Sequence, residues 1–173
     1  MPRIKWVERQ FNFNFPTGLY PEMIERLRGA PARVDEYLSS ASPEILTTRD
    51  HDRWSIQENA GHLFDLDALT NQRIDEYVAG ATVLHAADMS NKKTHEANYN
   101  QISAATIAQW FRQRRMEICD RLDGLEPDMF GHTATHPRLN VAMRLVDFLF
   151  FQGEHDDYHL TRINELIKLF SRR

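Results

Sequence analysis

The sequence predicts an all-α fold, a four-helix bundle preceded by an extended N-terminal arm, in one domain spanning residues 1–173. Two observations carry that prediction. Four long stretches space their apolar residues three and four apart, which gives a helix one apolar face. No two strand-like alternations stand close enough to pair, so the apolar faces must be buried against one another. Size agrees, because 173 residues can enclose a sizeable core without staples.

The arm comprises residues 1–20, where Phe11, Phe13 and Phe15 alternate with asparagines. With no partner strand nearby, its aromatic face is expected to lie across the helices rather than build a sheet. Pro21 suits a first helical turn, and Met23, Ile24, Leu27, Val34, Tyr37 and Leu38 continue the apolar stripe. Gly29, Ala30 and Pro31 interrupt it, giving two segments near 21–29 and 31–41. After a polar connection from Pro43 to Asp52, Ser55 with Glu58 three residues on forms a capping-box pattern. It opens a long helix ending near Ala79 and Gly80. Residues 81–103 are a long polar connection, a length that marks either function or mobility. Ser103 caps the next helix, whose stripe is Ile107, Trp110, Phe111, Ile118, Cys119 and Leu122, with Gly124 at its stop. Arg112, Arg114 and Arg115 are expected on its solvated face. Glu126 to Leu139 is irregular, and Asn140 is the expected cap of a last helix running to about Phe170.

Composition narrows the functional classes. Hydrophobic content of 42% and charged content of 27% are those of a soluble globular protein. A formal net charge of −4 argues against a general nucleic-acid surface. No apolar run reaches the roughly 20 residues of a membrane span, and Met1-Pro-Arg-Ile-Lys-Trp6 lacks the apolar core of a secretion signal, so the expected compartment is the cytoplasm. Cys119 is the single cysteine, which excludes an internal disulfide and leaves nitrogen and oxygen to hold any metal. There is no glycine-rich phosphate loop and no G-x-S-x-G elbow.

The chemistry-bearing stretch is the last helix. Its inward positions step through Val141, Leu145, Phe148, Gln152, His155, His159, Ile163, Leu166 and Phe170, so the apolar stripe turns polar in its middle. Residues four apart stack one turn above the other, and His155 and His159 can aim at one point, a metal clamp lacking at least one ligand. The spacing alone is weak, since His132 and His136 share it, but Gly131 and Pro137 argue against a helix there. Two half-buried imidazoles among Phe148, Leu149, Leu160 and Ile163 need polar partners, which a shared metal supplies. His62 lies on the second turn of the Ser55-capped helix, where a lone histidine is more often a satisfied core residue than a ligand. His85 and His95 read as solvated surface.

The run Trp54-Ser55, the stretch Glu58-Asn-Ala-Gly-His62-Leu63, the turn His136-Pro137-Arg138-Leu139 and the segment Glu154-His155-Asp-Asp-Tyr-His159-Leu160 together resemble the DinB/YfiT-like superfamily. The similarity runs from the Phe11–Pro16 arm to Ile163. It implies a four-helix bundle, commonly dimeric, with a divalent ion such as zinc or nickel held by His62, His155 and His159. It implies a small-molecule substrate, with water-activating hydrolases and thiol-dependent S-transferases as the activities to weigh, the latter using a low-molecular-weight thiol. A third possibility is a non-catalytic protein whose metal ties the helices together. Glu58 and Asp156 are the candidate catalytic carboxylates, and Glu58, Asp65, Asp156 and Asp157 the candidate hydrogen-bond partners of the ligand rings.

Overall fold

A computed structural model describes residues 3–172. Helices α1 (Tyr20–Arg28) and α2 (Ala30–Ser40) together form one limb of the bundle, broken at Gly29. Pro31 sits in the first turn of α2, where its missing N–H costs nothing. A short helix α3 (Pro43–Leu46) lies in the polar connection. Helix α4 (Ile56–Val78) starts at the expected box: Ser55 Oγ accepts the Glu58 N–H, and the Glu58 carboxylate accepts the Ser55 N–H. Just past its end, Gly80 takes φ +71°, a left-handed conformation that suits glycine. Helix α6 (Ala104–Asp123), capped by Ser103, and helix α7 (Leu145–Phe170) complete the bundle.

The connection 81–103 is ordered by contacts that periodicity does not reveal. It contains the short helix α5 (Lys92–Glu96) and buries Leu84, Thr94 and Tyr99. The aromatic arm lies across the helices as expected. Phe11 meets Phe151 edge-on at 4.9 Å, and Phe13 and Phe15 pack on Phe150. Arg144 fastens this arm by donating to the Phe13 and Phe15 carbonyls.

Four expectations fail. The stretch before α7 is not all irregular: β1 (Thr133–His136) pairs antiparallel with β2 (Val141–Arg144), and residues 82–84 are tied onto β1 by Thr135 N–H to Thr82 O and Leu84 N–H to Thr135 O. Asn140 is therefore a turn residue with φ 52°, which its short polar side chain tolerates. The N-cap passes to Arg144, whose N–H donates to Asp147, and Val141 lies on a strand rather than on the α7 stripe. Arg115 is not solvated either. It is fully buried, donating to Asp67 on α4, Asp156 on α7 and the Leu27 carbonyl on α1. One guanidinium thus ties α6 to the other three limbs.

The apolar core divides around this arginine. One cluster gathers Ile24, Leu27, Ile74, Tyr77, Ile118, Phe148 and their neighbours. The other gathers Val34, Leu38, Ile56, Leu63, Ile107, Phe111, Leu160 and Ile163. Along each long helix some buried polar residues fall between the two: Asp67, Thr70 and Arg73 on α4, Arg115 on α6, and Gln152, His155 and Asp156 on α7.

Candidate metal centre

His62 projects from the second turn of α4, while His155 and His159 project one turn apart from α7. The contact between these two helices brings the three rings together. One ring nitrogen from each lies within 4.8 Å of the others, and all three rings are buried. Ring centroids are 5.4 Å apart for His62 and His155, 4.7 Å for His62 and His159, and 4.6 Å for His155 and His159. Among the described residues His132 joins no such group, and His85 and His95 are exposed, as expected of the last two.

Electrostatics keep the rings neutral at pH 7. Burial, then the neighbouring His155, lowers His62 to about 3. Burial, then the charges of Arg115, Arg138 and Arg9, lowers His155 to about 3. His159 is pushed well below its ordinary value by burial and by the other two histidines. Neutral imidazole is the form that binds a metal ion.

Hydrogen bonds then fix which nitrogen is free. The Asn59 amide donates to the Trp54 and Ser55 carbonyls at 3.2 and 2.7 Å, so its oxygen faces His159 and accepts the Nδ1 proton at 2.9 Å. The Thr94 hydroxyl donates to Asp65 at 2.8 Å, so its oxygen accepts from His62 Nδ1 at 3.1 Å. Asp65 is held in turn by the Tyr99 hydroxyl at 2.8 Å and Lys93 at 3.2 Å. Nε2 of both His62 and His159 is left with a bare lone pair. Nδ1 of His155 is buried with no hydrogen-bond partner among the described residues. Three neutral rings, two with fixed tautomers and one with an orphaned nitrogen, are a donor set that fits a divalent transition metal.

The four candidate carboxylates differ in their partners. Of the four considered, Asp65 reaches a histidine, through Thr94. Glu58 is committed to the α4 cap and to Arg49; burial alone would raise its pKa, but Arg49 and the Ser55 N–H hold it low. Asp156 faces Arg115, and Asp157 pairs with Arg26 and Arg33 at the surface. Neither Glu58 nor Asp156, the two expected catalytic carboxylates, lines the adjoining cavity.

That cavity, about 520 Å³, has the three histidines in its wall with Trp6, Trp54, Leu66 and Phe151 among the apolar lining. Trp6, from the arm, meets the His155 ring edge-on at 4.9 Å. Sequence reasoning missed Trp6, Asn59, Thr94 and Tyr99. Asn59 carried a usable signal, since it lies three residues before His62 on the same helical face. Thr94 and Tyr99 carried none, because the path of a long connection has no period.

Comparison with known proteins gives the arrangement a family. The structure is similar to that of YfiT from Bacillus subtilis, described as a probable metal-dependent hydrolase with an unusual four-helix bundle topology, at TM-score 0.81 and 16% identity over 94% of each chain. It is also similar to the mycothiol-dependent maleylpyruvate isomerase, at TM-score 0.66 and 9% identity, covering 86% of this chain and 60% of that one. At these identities the likeness is one of fold. No curated protein matches by sequence. The family model of the DinB superfamily matches residues 26–163, which include all three clustered histidines, and the chain belongs to that superfamily.

Proposed function

We propose that His62, His155 and His159 hold one divalent transition metal, zinc or nickel, and that the chain is a metal-dependent hydrolase acting on a small molecule in the adjoining cavity. The observation that carries this reading is the convergence of three neutral, buried imidazoles on the wall of a cavity large enough for a substrate. Such an ion, when bound, supplies the positive charge that acidifies a water or thiol and polarises a carbonyl. The protein's own groups prepare the site. Asn59 and the Thr94–Asp65 pair set the tautomers of His159 and His62, while Trp6, Trp54 and Phe151 exclude bulk water. Glu58 and Asp156 act in this scheme by position: Glu58 caps the helix that carries His62, and Asp156 anchors the helix that carries His155 and His159.

A thiol S-transferase is the second reading, favoured by the fold shared with an isomerase whose activity depends on mycothiol. In that case a low-molecular-weight thiol enters the same cavity as cosubstrate. Assembly as a homodimer rests on the family resemblance, because Phe11, Phe13 and Phe15 cover their own bundle; light scattering at micromolar concentration tests it.

Elemental analysis of protein prepared without an affinity tag should find about one zinc or nickel per chain. His155→Ala and His159→Ala should lose it, and His85→Ala and His95→Ala should keep it. Screening esters, amides and thiol–electrophile pairs, with His62→Ala as the control, separates hydrolysis from thiol transfer. Protein that neither carries nor takes up zinc or nickel overturns both enzyme readings.

A further inference from the structure

The cavity that exposes the three histidines has a second polar corner, built from Arg73 on α4, His136 at the end of β1 and Arg138 in the hairpin turn. Arg73 is buried, and its Nε and Nη2 both donate to the His85 carbonyl, at 3.0 and 2.7 Å. Its remaining nitrogen, Nη1, lies 3.4 Å from His136 Nε2. That ring accepts the Leu139 N–H on Nδ1 at 3.2 Å, so the proton of the neutral imidazole sits on Nε2. Burial, then the charges of Arg73 and Arg138, keep His136 neutral by lowering it to about 4. Two N–H donors therefore face each other with no acceptor between them.

Arg138 adds a third donor. Its Nη2 is buried and has no hydrogen-bond partner among the described residues, and its guanidinium lies 5.8 and 5.6 Å from the ring centroids of Trp6 and Phe151. Among the described residues no carboxylate lies within ion-pair distance of Arg73 or Arg138, although most other arginines have one. The acidic residue in the cavity wall, Asp88, is exposed, and its carboxylate accepts from Ser90 and the Lys92 N–H. Arg73 is a buried cation without a counter-charge, and the buried Nη2 of the half-buried Arg138 is a donor without an acceptor; both are costly, and an anionic acceptor relieves both at once.

We propose that the cavity binds its small molecule through a carboxylate, which accepts from Arg73 Nη1, His136 Nε2 and Arg138 Nη2 while the remainder of the molecule extends toward the three histidines. Three N–H groups suit the two oxygens of a carboxylate. A phosphate would bring a third terminal oxygen and further charge against walls that are largely apolar. The reacting end of this arrangement rests on the metal centre proposed above, whereas the anion corner stands on its own residues.

The test is calorimetric titration of metal-stripped protein, at fixed ionic strength, with hexanoate, with its neutral analogue hexanamide and with inorganic phosphate. Hexanoate should bind at least about 10-fold more tightly than hexanamide, the order expected for hydrogen bonds to a charged group, and more tightly than phosphate. Arg138→Gln is the informative variant, since Arg138 makes no hydrogen bond or ion pair within the described chain and its loss should cost the fold only its contacts over the Trp6 and Phe151 rings. It should weaken hexanoate at least about 10-fold, with Arg138→Lys intermediate and zinc uptake unchanged in both. His155→Ala should lose zinc and still bind hexanoate. Equal affinity for hexanoate and hexanamide, or unchanged hexanoate binding in Arg138→Gln, overturns the corner; tighter binding of phosphate overturns the carboxylate assignment. Failure of the metal reading would appear separately, as wild-type protein that takes up no zinc while the hexanoate results stand.

Discussion

Replacing Arg115 with methionine is the sharpest test of what holds the site in place. Arg115 is fully buried and donates to Asp67 at 2.7 Å, to both oxygens of Asp156 and to the Leu27 carbonyl. Methionine fills similar space but leaves two buried carboxylates without a cation, and breaking a buried pair in this way costs about 3–5 kcal/mol. Against the roughly 5–15 kcal/mol of a typical domain, the variant should fold but be markedly weakened. The loss should also depend on pH. Burial already raises Asp67 from 3.8 to about 6 despite the pull of Arg115, and removing the guanidinium raises it further. A carboxyl whose folded pKa is raised contributes stability that is complete below its unfolded value and lost as pH rises through the folded one. The deficit relative to wild type should therefore shrink between pH 7 and pH 5 by at least about 1 kcal/mol, while contributions from the buried histidines cancel in the difference. Urea unfolding of both proteins at the two pH values measures it. A deficit under about 1 kcal/mol at pH 7, or one equal at both pH values, would refute the argument. Replacing Asp67, Arg115 and Asp156 together by apolar residues should recover most of the stability.

Two further variants probe the surroundings of the histidines. Asn59→Ala and Thr94→Val remove the acceptors that fix the His159 and His62 tautomers, and each should weaken zinc binding by roughly 10- to 100-fold, read by competition with a chelator. Gly61→Ala places a Cβ 2.3–2.5 Å from three ring atoms of Tyr99, whose hydroxyl holds Asp65. It should cost about 1–3 kcal/mol by overpacking and lower zinc affinity as well, seen as a shifted thermal midpoint and a reduced metal content.

How far the sequence was legible depends on whether a residue's role is periodic. Ser55 and Glu58 form the box at the start of α4 as expected, because capping is a local bargain between residues three apart. The inward positions of α7 from Leu145 to Phe170 are buried as the stripe requires. Spacing alone paired His155 with His159; His62 entered on resemblance, because the contact of α4 with α7 joins residues nearly a hundred positions apart. The hairpin escaped notice since each strand has only four residues, too few for an alternation to stand out, and Asn140 has the chemistry of a helix cap as well as of a left-handed turn. Arg73 and Arg138 carried no signal, because an arginine without an ion-pair partner looks in sequence like any other.

Arg115 was misread for a related reason, and the misreading bears on how the site works. Arg112, Arg114 and Arg115 form one basic run, yet Arg112 is exposed and Arg115 is the largest of the fully buried side chains. Successive residues on a helix are turned by about 100°, so a run of like charges necessarily spans more than one face. The same rotation links the ion pair to the histidines. Asp156 follows His155 directly on α7, and His159 lies about one turn beyond, so the direction of Asp156 sets the directions of both rings. Binding Asp156 to Arg115, with Asp67 on the guanidinium's other side, fixes the rotation of α7 against α4 and α6. A wholly apolar layer at this level would permit α7 to turn or slide between alternative packings, since apolar contacts are not directional. The polar layer between the two apolar clusters thus supplies the direction that apolar contacts lack, and in the rotation of α7 that it holds, His155 and His159 meet His62.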